Sequence, residues 1–110
     1  MTEARVATSV LAGALMRKAQ GEGGFAAVLA RGDPDSGAML VILTERGANP
    51  RVLERLLQPD GGYSWGQVIE NAEEVPAFVA RRRQFDPDLW LIELDVPSIE
   101  RFTAEMTAFD

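Results

Sequence analysis

The chain has no cysteine and no histidine in its 110 residues. The first absence excludes disulfides, thiolate metal sites and cysteine nucleophiles. The second removes the commonest general base, the commonest metal ligand and the serine–histidine pair of hydrolases. Ser36, Ser64 and Ser98 therefore lack the partner that usually activates a hydroxyl. Lysine occurs once, at Lys18, so Schiff-base or serine–lysine chemistry would rest on that single amine. At a helix end beside Arg17 it reads as solvated. Positive charge is short as well: 17 acidic residues against 11 basic ones leave a net charge of −6. Nucleic acid and anionic membrane surfaces are disfavoured as partners, because both need clustered cations. Arg81, Arg82 and Arg83 are consecutive, but on a helix they point roughly 100° apart and make no single patch. No apolar stretch approaches the ~20 residues that span a bilayer. Val6 to Met16, with Ala12-Gly13-Ala14, superficially imitates a leader peptide. Glu3, the diluting Thr8 and Ser9, and the following Arg17-Lys18 favour a mature amphipathic helix. Cytoplasmic residence and a single acidic domain are the expectations, and no cofactor is expected.

What is present is an ordered alternation of helical and strand patterns. A helix is predicted from about Thr8 to Gln20, with Thr8 or Ser9 as cap. Val10, Ala14 and Leu15 form its apolar face, with Leu11 and Lys18 at the margin. Gly21-Glu22-Gly23-Gly24 ends it. Those glycines follow a helix and enter a strand, the reverse of a phosphate-binding loop, so they read as a C-cap. Phe25 to Ala30 and Ala38 to Thr44 read as strands, paired as a hairpin through Asp33-Pro34-Asp35-Ser36-Gly37, where Gly37 accepts a positive φ. Arg46-Gly47-Ala48 is another turn. Pro50 to Gln58 admits a short helix after Asn49 or a strand. The hairpin signal Asp60-Gly61-Gly62 and the strand-like Tyr63 to Ile69 tilt it toward a strand. Asn71 and Glu74 resemble a capping pair before a helix that buries Val75, Phe78, Val79 and Phe85. A second Asp-Pro-Asp ends that helix. Leu89 to Leu94 is a strand, and Pro97-Ser98 opens a last helix.

Two segments, Met39 to Leu43 and Leu89 to Ile92, are continuously apolar rather than alternating. Strands of that kind are covered on both faces. The expected fold is therefore α+β: one mixed, largely antiparallel sheet of about five strands in the order α-β-β-β-β-α-β-α, with helices on both faces. The alternative is a two-layer sandwich with one open face.

Asp33, Asp35, Asp86 and Asp88 form the only repeated acidic pattern. If their turns met, four carboxylates would suit Mg²⁺ or Ca²⁺, giving a metal-binding domain or a metal-dependent enzyme. The alternative is plain turn chemistry, since Asp and Pro are the residues turns prefer. Tyr63 and Trp65, after a glycine turn, are candidates for a partner or ligand surface, whereas Trp90 reads as core. Arg5, Arg17 and Arg31 read as solvated surface rather than an anion site. The stripe Ile99, Phe102, Met106 and Phe109 packs either on its own sheet or on a second copy as a homodimer face. A non-enzymatic binding or interaction module, its ligand unidentified, is the first expectation.

Three segments carry a resemblance: Gly23 to Val28, Arg31 to Ala38, and Asp86 to Glu93, of which Asp-Pro-Asp-Leu-Trp is the most specific. They resemble a small, mainly alphaproteobacterial family, domain of unknown function 1491. The likeness runs from about Arg5 to Asp95, is weakest over Ala48 to Glu70, and leaves out the helix after Pro97. It implies a compact, independently folding cytoplasmic domain and no catalytic residues.

Overall fold

Nine elements follow one another in the computed structural model, which describes residues 7–35, 37–69 and 71–106. They are α1 (Thr8–Gly21), β1 (Phe25–Ala30), β2 (Met39–Glu45), β3 (Ala48–Leu57), β4 (Tyr63–Ile69), a 3₁₀ turn (Ala72–Glu74), α2 (Val75–Phe85), β5 (Trp90–Val96) and α3 (Ile99–Met106). The strands form one mixed sheet in the order β1-β5-β2-β3-β4. Neighbours are antiparallel except β2 and β5, which run parallel from Met39 opposite Trp90 to Glu45 opposite Val96.

Alternation along β2 and β5 divides the core. Met39, Val41 and Leu43 with Trp90, Ile92 and Leu94 face α1 and α3, while Leu40, Ile42 and Leu91 face α2. Both continuous apolar runs are thus covered front and back. Val41 and Leu91 are fully buried. The segment left between helix and strand, Pro50 to Gln58, lies up to Leu57 in the strand Ala48–Leu57.

The expected β1–β2 hairpin does not form, because β5 is inserted between the two strands. The physical reason lies in composition. The two most apolar strands need cover on both faces and neighbours on both edges, so they take adjoining inner places. β1, whose Phe25 and Leu29 are exposed, is left at the edge. Its connection to β2 is a loop rather than a tight turn.

Four local expectations also change. The buried face of α1 is Leu11, Ala12, Leu15 and Ala19, while Val10 is exposed. The two leucines one turn apart carry more apolar area than Val10 with Ala14 and set the rotation. Thr8 is not a cap: Ala7 holds that place with no side-chain bond. The buried Thr8 hydroxyl donates to the Gly37 carbonyl at 3.1 Å instead. Phe85, expected in the core, is 76% exposed, because it falls at the end of α2 beyond the sheet face. Gly37 does not have a positive φ; the glycines that do are Gly23, Gly47 and Gly61. Gly37 is needed for close approach, treated below.

The ends of α1 and α3 show why the helices stop and start where they do. At the end of α1 the Gly23 amide donates to Gln20 and the Gly24 amide to Ala19. That is the paired-bond C-cap that glycine at φ +85° permits. At the start of α3, Glu45 accepts the Ile99 amide at 2.9 Å and Ser98 accepts the Arg101 amide at 3.2 Å. Ile99, Phe102 and Met106 are buried in the chain's own core. They are therefore not an exposed dimer face; Phe109 lies outside the described residues. Lys18 is not solvated either. Its ammonium pairs with Glu22 at 2.5 Å and Glu105 at 2.6 Å, tying α1 to α3 above the Phe102 ring. The hydrogen bond to Glu105, then that to Glu22, raises its pKa above the ordinary lysine value and favours the charged ammonium in this contact. On the other face, Arg82 binds Glu54 bidentately at 2.7 and 2.8 Å and fastens α2 to β3.

Candidate functional site

The two Asp-Pro-Asp turns do meet, but through their backbones. The Asp33 amide donates to the Asp88 carbonyl at 3.1 Å. A Cβ built on Gly32 or Gly37 falls 2.1 or 2.3 Å from that same carbonyl oxygen, so both positions require glycine for the chains to approach. The Asp33 carbonyl accepts the Trp90 indole N–H at 2.7 Å, and its carboxylate accepts the Asp35 amide at 2.8 Å. The Pro34 and Asp35 carbonyls accept the first amides of α1. The Asp33 amide and the carbonyls of Asp33, Pro34, Asp35 and Gly37 thus hold α1 and β5 to the turn before β2. Trp90 is core, as its strand requires, with the Arg31 guanidinium 5.3 Å above its ring. Asp86 closes α2, accepting the Leu89 amide through its carbonyl. Among the described residues no three acidic side chains are placed to hold one metal ion. Asp33, Asp35, Asp86 and Asp88 therefore share a seam without their carboxylates forming a cluster.

Asp95 is the acidic group with the clearest electrostatic role. Its carboxylate accepts the Thr44 hydroxyl and the Gly47 amide, both at 2.7 Å, clamping the β2–β3 turn to β5. The Thr44 hydrogen bond first, and the Gly47 amide next, hold its pKa below the ordinary carboxylate value. A carboxyl whose folded pKa lies below its unfolded value binds fewer protons when folded. Its contribution is present above the unfolded value of about 3.9 and is lost as the pH falls through the folded one. The urea midpoint is expected to fall between pH 5 and pH 3 (both approximate), and Asp95→Asn is expected to show a smaller fall. Equal falls in the two proteins would rule out this role for Asp95.

The concave site lies elsewhere. α1 packs on β1 and β5 and α3 lies beside β2. On the same face, between α3 and the outer strands, is a cleft of about 560 Å³. Its lining follows strand periodicity: Leu43 and Glu45 from β2, Asn49, Arg51 and Leu53 from β3, Gln67 from β4. Leu43 stands opposite Arg51, and Leu53 opposite Gln67. α3 contributes Ile99, Glu100, Thr103 and Ala104 as the wall. The floor is apolar, and Arg51 is the one cation among the lining residues. No ion pair with another described residue ties Arg51 down. Glu45, by contrast, is occupied with the Ile99 amide. A volume in the 300–1,000 Å³ class with an apolar floor and a few polar groups is what small-molecule sites have in common.

Of the aromatic candidates, Trp65 packs partly buried against the core on the α1 and α3 side, two residues along β4 from Gln67. Its indole N–H is buried with no acceptor among the described residues. Tyr63 carries the Arg55 guanidinium 3.9 Å above its ring. Neither residue lines the cleft. The cleft itself was not foreseen. Its only trace in the sequence is the polar alternation Asn49 and Arg51 before Leu53, which means something only once the segment is known to be a strand and α3 is known to stop beside it.

Comparison places this arrangement among known proteins. A DUF1491 family protein from Caulobacter crescentus CB15, solved by crystallography, superposes with a TM-score of 0.79 at 29% identity, over 89% of this chain and 94% of that one. An NMR structure of a DUF1491 family protein from the same organism gives 0.79 at 28%, over 91% and 94%. The solution structure of Atu0922 from A. tumefaciens gives 0.76 at 26%, over 90% and 92%. No curated protein matches the chain. The family model described as "Protein of unknown function (DUF1491)" matches residues 6–104, so it takes in most of α3 as well as the segments quoted above. The chain belongs to the DUF1491 family of proteins of unknown function.

Proposed function

We propose that the chain is a non-enzymatic binding module whose ligand is a small amphipathic molecule with an anionic head. The observation that carries this reading is the cleft between α3 and the outer strands, where an apolar floor of Leu43 and Leu53, walled by Ile99, adjoins the Arg51 guanidinium, which pairs with no acid among the described residues. A carboxylate or phosphate head would pair with Arg51, and Asn49, Gln67 and Thr103 supply neutral hydrogen-bond partners around it. The reading contains no catalytic step. The chain has neither histidine nor cysteine, and its one lysine is held between two carboxylates. Residence in the cytoplasm belongs to the same proposal. No helix among the described residues is long and apolar enough to cross a membrane, which is consistent with it.

Hexanoate and hexylamine have alkyl chains of similar length and heads of opposite charge. Titrating ¹⁵N-labelled protein with each, the amides of Leu53, Gln67 and Thr103 are expected to shift saturably with hexanoate and not with hexylamine. Arg51→Gln is expected to weaken hexanoate at least ~10-fold, about 1.4 kcal/mol. No saturable shift with hexanoate, or the same affinity in Arg51→Gln, would overturn the assignment.

A further inference from the structure

We infer that β1 is a self-association edge, through which two copies of the chain join their sheets across a two-fold axis. β1 is paired on one side only, by β5. Edge strands normally protect their unpaired amides and carbonyls with charges, proline, bulges or cover, and β1 has one such device, the register shift between Val28 and Ala30. β1 reads Phe-Ala-Ala-Val-Leu-Ala and contains neither a charge nor a proline. It also carries two of the six large apolar side chains exposed among the described residues, Phe25 at 57% and Leu29 at 43%. The other edge, β4, is more polar, with Ser64 and Gln67, and exposes no large apolar side chain to that degree.

The occupant follows from the pattern of the strand itself. An antiparallel pair made from one strand and its copy, with the two-fold axis normal to the sheet, sets each residue opposite one on the same face. Centred on Ala27, that register places Ala27 opposite its own copy and Phe25 opposite the copy's Leu29. Both exposed side chains then cover each other twice, and the smallest residue sits on the axis. The register on β5 shifts between Val28 and Ala30, so Leu29 has no partner on β5 while its side chain stays exposed. Charge selects a second copy over a charged partner. Each chain carries −6, yet the strand that meets its copy carries none, so the join brings no like charges into contact. Because two acidic molecules must still approach, association is expected to strengthen with salt. The contact is a single strand edge, at the small end of the interface range, so the dimer is expected to be weak.

Sedimentation velocity from about 10 μM to about 1 mM tests this, since a weak dimer dissociates in the micromolar range. The expected result is a shift from monomer toward dimer, stronger at high salt. Phe25→Lys and Leu29→Lys are expected to abolish it with the thermal midpoint retained. Phe85→Lys, at a more exposed apolar site on α2, is expected to leave it intact. Because the chain lacks cysteine, Ala27→Cys supplies a second readout: mild oxidation is expected to give a disulfide-linked dimer, and Leu57→Cys is not. A monomer throughout, a dimer that survives both lysine variants, or no preferential cross-linking of Ala27→Cys over Leu57→Cys would each overturn the inference. None of these outcomes bears on hexanoate at Arg51, so the two proposals fail independently.

Discussion

Phe102→Ala is expected to lower the stability of the chain by about 3–5 kcal/mol, the range for emptying a buried aromatic site. Phe102 is completely buried and is the largest side chain so enclosed among the described residues. It holds α3, a helix of 8 residues, against α1 and the sheet. A helix that short has little stability of its own in water, so its order depends on this docking. At roughly 2.1 cal/mol/K of unfolding entropy per residue, the loss corresponds to a thermal midpoint lower by ~13–22 °C. Calorimetry on the two proteins measures it directly. The matched comparison is Phe85→Ala. Phe85 has the same chemistry, is 76% exposed, and is expected to change stability by no more than about 0.5 kcal/mol. Equal effects from the two would mean that α3 is not packed as described. Since Ile99, Glu100, Thr103 and Ala104 form one wall of the cleft, Phe102→Ala is also expected to weaken hexanoate without touching Arg51.

The second large effect belongs to the seam between the Asp-Pro-Asp turns. Gly32→Ala and Gly37→Ala each introduce a methyl carbon at 2.1 and 2.3 Å from the Asp88 carbonyl oxygen, well inside contact distance. The obstacle is backbone, not the tip of a flexible side chain. Relief therefore requires the turn carrying Asp88 to move away from the one carrying Asp33. That movement stretches the Asp33 amide bond to Asp88 and the Trp90 indole bond to Asp33. Each single change is expected to cost about 3 kcal/mol, at the upper end of overpacking effects. The double variant is expected to cost less than the sum, because one displacement of Asp88 relieves both clashes. Gly21→Ala, where nothing beyond its chain neighbours and its own helix backbone lies within 4 Å of the added carbon, is the comparison and is expected to be neutral. Urea denaturation of the four variants beside the parent chain decides the matter. Additive costs would show that the two glycines do not share one obstacle.

These two expectations also explain the repeated motif. Asp-Pro-Asp attracts notice as a set of carboxylates. In the folded chain its use is mostly in carbonyls, amides and the glycines beside it, while the Asp33 side chain serves its own turn. A sequence displays side chains, and so it advertises carboxylates; backbone bonds between residues about fifty positions apart leave no trace in it. The same limit hid the cleft. Arg51 and Gln67 are ordinary polar residues until pairing places Leu53 opposite Gln67 and α3 closes over one side.

What the sequence determined by itself was everything that depends on near neighbours and on bulk apolarity. Glycine after α1 set its C-cap, turn residues set the β2–β3 and β3–β4 hairpins, and the unbroken runs of β2 and β5 required helices on both faces of a mixed sheet. The absence of histidine and cysteine narrowed the chemistry before any fold was known. Tertiary structure alone decided which strand lies beside which, sending β5 between β1 and β2 and leaving β1 at the edge. It also decided which face of α1 is buried and that Phe85 points to solvent while Phe102 does not. Local pattern ranks residues by how much they gain from burial. Only the competition among all apolar surfaces for a limited interior determines which of them obtain it.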